Sequence, residues 1–239
     1  MVPLEKAKTG IKGLDNILKG GLPRNAATVM EGPPGAGKSV FAQQFILEGL
    51  KNGEGCMYIC VDDPPELVRR RIRDFGWEPQ KYEEDGLLVF VDCFSWRIGG
   101  SGEKNAVLNE MNYDRLTDVI RTAYDSLKEV KEQRSIVDSM TTLLPQLELQ
   151  EALRFLSWMK ARFINLSKNA SLWFTHKASL DPQLYSILLD NAGGIIELRF
   201  KEEPETLLRE LRVTAMPFEV PTPRWIPYSI DKKGIRIPH

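Results

Sequence analysis

Short apolar runs alternate with amphipathic stretches over the first three quarters of the chain. The runs "AATVM" (26–30), "CMYICV" (56–61), "LLVFV" (87–91), "SIV" (135–137) and "SLWFT" (171–175) have strand length and carry β-branched or aromatic residues. Between Tyr113 and Val130, the residues Tyr113, Leu116, Ile120, Ala123, Leu127 and Val130 recur at steps of three and four. They therefore share one face of a predicted helix. Leu149, Leu153, Leu156, Met159, Phe163 and Leu166 repeat the pattern. Strands separated by helices predict a mostly parallel sheet with crossover helices on its faces. After Gly193 the segments "GGIIELRF", "ETLLRELRVTAM" and "PYSIDKKGIRI" carry few helical signals, and antiparallel strands are expected to extend one sheet edge. The expected class is α/β, with residues 1–239 as a single domain. The polar, glycine-containing stretch from Arg97 to Asn109 predicts a mobile surface loop.

Composition narrows the classes. Hydrophobic residues make up 42% and charged residues 27% of the 239, too apolar for a disordered chain. The net charge of -1 supplies no global field toward nucleic acid or a membrane, so binding to either would need a local patch. The one basic run, "RRRIR" at Arg69–Arg73, has no aromatic platform beside it and reads as a solvated helix face. No apolar run has the ~18 residues of a membrane span and no charged leader precedes an apolar segment, so a cytoplasmic location is expected. Cys56, Cys60 and Cys93 form no CxxC and lie in apolar runs, which predicts buried reduced thiols.

Residues 31–40, "EGPPGAGKSV", change the picture most. Gly32, Gly37, Lys38 and Ser39 satisfy G-x-x-x-x-G-K-[ST] between a predicted strand and the helix-like "VFAQQFILEGL". Pro33 and Pro34 have no N–H, so the phosphate-facing amides are expected from Gly35 through Ser39, at the positive end of the helix. Lys38 supplies a mobile positive charge to the β- and γ-phosphates, and the Ser39 hydroxyl is placed for Mg²⁺. Asp138, ending the apolar "RSIVD", fits a second Mg²⁺-side group, although an aspartate there is also a common helix cap. Asp62 and Asp63 in "YICVDDPPE" follow the strand after the phosphate loop. They are either water-activating carboxylates or solvated acids of an Asp-Pro turn.

"TGIKGLDNILKGGLP", "GPPGAGKS", "DDPPE", "DFGW" and "VDSMTTLL" together resemble, in order and spacing, the KaiC/RadA branch of the RecA-like P-loop ATPases. With one Walker A motif, the chain is similar to the single-domain archaeal KaiC-like proteins. The resemblance implies a RecA-like core, ATP and Mg²⁺ as ligands, and homo-oligomeric rings, hexamers in the family, with ATP between subunits. It implies nucleotide binding by Gly32, Gly35, Ala36, Gly37, Lys38, Ser39 and Val40, and metal binding by Ser39 and Asp138. Catalytic roles fall on Lys38 and on Asp62 and Asp63, which align with paired glutamates but are each one methylene shorter. His176 stands where the family places a γ-phosphate sensor, and a satisfied core or capping histidine reads equally well.

Two departures qualify these implications. Ala215 and Pro217 stand where a Lys-x-Arg pair would face a neighbour's ATP, so slow hydrolysis is expected. Gly193 replaces an acidic residue, and the preceding loop from Lys177 to Leu189 is short, which leaves nucleic-acid binding open. The expected function is a slow, Mg²⁺-dependent ATPase acting as a nucleotide-driven switch or assembly. Alternatives are an ATP-sensing interaction module with little turnover, or a recombination accessory protein.

Overall fold

A computed structural model describes residues 5–100, 103, 106–127, 130–165, 168–204, 206–217 and 224–238. Two short strands, β1 (Lys6–Ala7) and β2 (Leu22–Pro23), pair with each other. The main sheet contains β3 (Ala26–Glu31), β4 (Gly55–Cys60), β5 (Leu88–Asp92), β6 (Gln133–Asp138), β7 (Asn169–Thr175), β8 (Gly194–Glu203), β9 (Thr206–Ala215), β10 (Ile226–Asp231) and β11 (Gly234–Arg236). Its order is β11-β10-β9-β8-β3-β7-β6-β4-β5. Strands from β8 through β5 run parallel, and β9, β10 and β11 add antiparallel to the β8 edge. This is the mostly parallel sheet with antiparallel C-terminal strands that the alternation of apolar runs predicts.

Helices α1 (Lys12–Ile17), α2 (Lys38–Lys51), α3 (Pro65–Asp74), α4 (Pro79–Glu84), α5 (Tyr113–Ser126), α6 (Met140–Leu143), α7 (Leu149–Asn165) and α8 (Pro182–Asp190) flank the sheet. Alternate residues of each central strand point to opposite faces, which divides the core in two. Tyr58, Ile136 and Phe174 pack with Phe41, Phe45 and Ile72 of α2 and α3. Met57, Val137 and Trp173 pack with Ile120, Phe155 and Met159 of α5 and α7.

Local chemistry corrects several boundaries. Helix α5 starts where the Asn112 side chain accepts from the Arg115 amide and stops at Ser126, so Val130 lies beyond it. On α7 the buried stripe is Ala152, Phe155, Leu156 and Met159, while Leu149 is exposed; Leu166 lies outside the described residues. The segment Lys177–Leu189 is mostly helix rather than loop. Asp181 caps the amides of Gln183 and Leu184, Pro182 occupies the first turn, and Leu184 and Leu188 turn inward one turn apart. In the stretch from Arg97 to Asn109, a short 3₁₀ turn spans Ser95–Ile98 and Asp92 pairs with Val107; residues 101, 102, 104 and 105 lie outside the described set. All three cysteines are free and buried, and burial pushes their thiols up. No described helix is long and apolar enough to cross a membrane.

Candidate active site

The loop from Gly32 to Gly37 joins β3 to α2 at the carboxyl edge of the parallel strands, where ligands of such sheets gather. Gly35 and Gly37 adopt left-handed conformations, with φ of 79° and 94°. A Cβ on Gly37 would lie 2.4 Å from Ile230 Cδ1, and one on Gly32 would lie 2.7 Å from Leu198 Cβ. Glycine is therefore required twice over, by backbone angle and by the C-terminal strands that close on the loop. Tyr228 of β10 ties it down by donating its hydroxyl to the Ala36 carbonyl at 2.5 Å.

A cleft of about 650 Å³ opens above this loop, and Gly35, Gly37, Lys38, Ser39, Val40, Asp62, Asp63, Asp138 and His176 all line it. Of the expected site residues, Gly32 and Ala36 do not. They shape the loop from beneath, Gly32 by donating its amide to the Thr175 carbonyl at 3.2 Å and Ala36 through Tyr228. Lys38 Nζ donates to the carbonyls of Gly32 at 2.5 Å and Pro33 at 3.1 Å. Burial holds its pKa below the usual lysine value, opposed by the charges of Asp138 and Asp62.

Two neighbouring strand ends bring the carboxylates together. The amides of Val61 and Asp62 both donate to the Asp138 carbonyl, at 2.8 and 3.0 Å, so the end of β4 is fastened to the end of β6. Asp138 Oδ2 accepts from the Tyr58 hydroxyl at 2.7 Å. Desolvation raises the Asp138 pKa to about 6; the Tyr58 hydrogen bond opposes the rise, Asp62 and Asp63 add to it, and Lys38 opposes it. Asp62 accepts from Ser139 Oγ at 3.1 Å, whereas Asp63 is ion-paired with Arg71 of α3. His176 lines the cleft; its Nδ1 lies 2.7 Å from Ser179 Oγ, and its amide donates to Thr141 Oγ1 at 2.7 Å.

Hard oxygen donors fit Mg²⁺. Ser39, Asp62 and Asp138 face one cleft with an excess of negative charge around Asp138, and Mg²⁺ takes one or two carboxylates together with water and phosphate oxygens. Among the described residues, no group of three or more His, Cys, Asp and Glu is placed to hold a metal ion.

Arg71, Ser139, Thr141 and Ile230 also line the cleft and Tyr58 lies buried behind Asp138, five residues to which no motif in the sequence assigns a role. The arginine run carried one usable signal. Arg69 pairs with Glu83 and Glu103, and Arg73 with Glu66 at 2.7 Å, but Arg71 turns into the cleft. Ala215 and Pro217 fall elsewhere. Ala215 pairs with Ile195 at the level of Val29, three residues before the loop, and Pro217 approaches Gly193 next to Ala26 at the start of β3; neither lines the cleft.

A family model described as "ATPase: KaiC" matches residues 7–239. A UPF0273 protein of Methanopyrus kandleri is 32% identical over 237 residues, covering 98% of this chain and 92% of the relative. One of Pyrococcus horikoshii is 32% identical, covering 96% and 92%, and one of Thermotoga maritima is 31% identical, covering 98% and 96%. The crystal structure of a KaiC-like protein from Pyrococcus horikoshii superposes with a TM-score of 0.81 at 24% identity, over 99% of this chain and 100% of that one. A phosphate loop at the edge of a RecA-type sheet, matched nearly end to end by the family model, places the chain in one family: it belongs to the KaiC ATPases.

Proposed function

We propose that the chain binds ATP with Mg²⁺ in this cleft and hydrolyses it slowly, using the bound nucleotide as a switch for assembly. The observation that carries this reading is the convergence of Lys38, Ser39 and Asp138 on one cleft above a glycine loop at a helix N-terminus. The amides from Gly35 through Ser39 receive phosphate oxygens. Lys38 exchanges its two carbonyl partners for the β- and γ-phosphates. Ser39 and Asp138 hold Mg²⁺, which neutralises charge on the phosphate oxygens when bound. Asp62, which accepts only from Ser139 among the hydrogen bonds of the cleft, orients the attacking water and accepts its proton, while Asp63 starts out paired with Arg71.

Slow turnover follows from the short reach of the aspartates and from the lack of a basic pair at Ala215 and Pro217. ATP turnover measured against protein concentration, with and without Mg²⁺, tests the reading. Mg²⁺-dependent turnover that rises on assembly supports it, and absence of ATP binding sinks it. A second reading, an ATP sensor with scarcely any hydrolysis, is favoured by the Asp63–Arg71 ion pair; tight binding without turnover would select it. Stimulation by single-stranded DNA would instead favour a recombination accessory role, for which the arginine run, tied up by carboxylates, gives little support.

A further inference from the structure

Arg71 occupies an unusual position. It lies in a run of four arginines within five residues, yet Arg69 and Arg73 are spent on glutamates of α3, α4 and the segment at Glu103. Arg71 alone of these three lines the nucleotide cleft, with a side chain 40% exposed and Asp63 as its carboxylate partner. The sheet order sets which part of a nucleotide would meet it. Across the carboxyl edge stand the phosphate loop on β3, His176 after β7, Asp138 on β6, and Asp62 and Asp63 after β4. Ile230, packed on Gly37, stands on the opposite side of the loop from α3. Lys38, the group that reaches the β- and γ-phosphates, feels the charges of Asp138 and Asp62. The terminal phosphate therefore points toward β6 and β4, the side on which Arg71 stands.

We propose that Arg71 is a γ-phosphate-recognising cation supplied within the same subunit, held by Asp63 until ATP competes for its guanidinium. This rests on the reading of the cleft as an ATP site and adds how that site would tell ATP from ADP. A guanidinium fork binds a phosphate in two-pronged fashion, as it binds a carboxylate, so one anion can replace the other. The exchange has a second consequence. It frees Asp63 when the terminal phosphate is present, so a second carboxylate joins Asp62 only in the ATP state. An ion pair this exposed is worth little to folding, so its place in the cleft needs another explanation than stability.

Calorimetric titration with ATP and with ADP, in Mg²⁺, tests the assignment without relying on turnover. Lys38→Ala serves as the control for the cleft itself. If it binds ATP as the parent does, the nucleotide site is misplaced and the proposal falls with it. Given that control, Arg71→Ala is expected to lose about tenfold or more in ATP affinity with less than about threefold change for ADP, and Arg71→Lys to recover only part of the loss. Asp63→Asn is expected to raise the preference for ATP over ADP, because it releases the arginine. That gain must vanish in the Arg71→Ala, Asp63→Asn double variant if it acts through the guanidinium. Equal weakening of ATP and ADP in Arg71→Ala, or a gain from Asp63→Asn that survives without Arg71, would overturn the proposal.

Discussion

The Tyr58 hydroxyl donates to Asp138 Oδ2 at 2.7 Å, joining two residues 80 positions apart on adjacent strands. The phenol stabilises the ionised carboxylate without adding a positive charge that would compete with Mg²⁺. Tyr58→Phe keeps the ring and its packing but strips the donor from a desolvated acceptor. It is expected to cost ~1–2 kcal/mol near pH 8 and to weaken the Mg²⁺ dependence of ATP binding. The stability loss should shrink near pH 5, where Asp138 carries its proton. Urea unfolding of both proteins at the two pH values checks this; an equal loss at both would detach Tyr58 from the charge on Asp138.

Asp138 itself is expected to trade stability for Mg²⁺. Its pKa is raised from the ordinary 3.8 to about 6, so the folded chain holds this proton more tightly than the unfolded chain. The contribution of the group to stability therefore falls as pH rises from about 4 to 6, and above that it is a constant penalty of roughly 3 kcal/mol. Asp138→Asn should remove the penalty and be at least as stable as the parent at pH 7.5 without metal, while losing the Mg²⁺-dependent gain in ATP affinity. An unfolded or clearly weakened Asn variant would make the residue structural.

Lys38→Ala removes the charge that meets the β- and γ-phosphates and should lower ATP affinity by at least ~30-fold, about 2 kcal/mol. Removing Lys38 loses its bonds to the Gly32 and Pro33 carbonyls but also relieves the desolvation of a partly buried charge, so the unfolding midpoint should move little. Equal ATP affinity in mutant and parent would refute the phosphate-loop assignment.

What could be read from the sequence was what is encoded locally. The phosphate loop needs only eight consecutive residues, and the parallel strands betray themselves as continuous apolar runs because both faces are covered. The hydrogen bond from Tyr58 to Asp138 depends on which strand lies beside which, and no linear spacing encodes that order. Arg71 was hidden for a different reason. Its helix carries arginines on several faces, and only the position of α3 beside the cleft decides which one turns toward it. Helix α8 escaped because its cap, Asp181 followed by Pro182, also reads as a turn.

Pro217 lies near the start of β3, and Ala215, two strands away, is level with Val29, three residues before the phosphate loop. At ~3.3 Å per residue along a strand and ~4.8 Å between strands, Ala215 stands roughly 14 Å from Gly32, and Pro217 farther. Neither lines the cleft of its own subunit, so a cation there is expected to act on a neighbour's ATP. Two native cations of these strands do not fill the role in place, since Arg199 and Arg212 are held by Glu210 and Glu197 and lie 3.9 and 4.5 Å from the Trp225 ring, while Arg209 donates to the Gly35 carbonyl of its own phosphate loop at 3.4 Å. Intrinsic turnover should therefore be low, and Ala215→Lys with Pro217→Arg should raise it only where subunits assemble, because a trans-acting cation stabilises the transferring phosphoryl across an interface. Dilution should abolish the gain. Replacing Pro217 also restores a backbone donor near the end of β9, so Pro217→Ala alone is the control. If the parent protein turns over ATP briskly at concentrations where sedimentation finds only monomer, the missing pair is irrelevant and a cation of the same subunit must do the work.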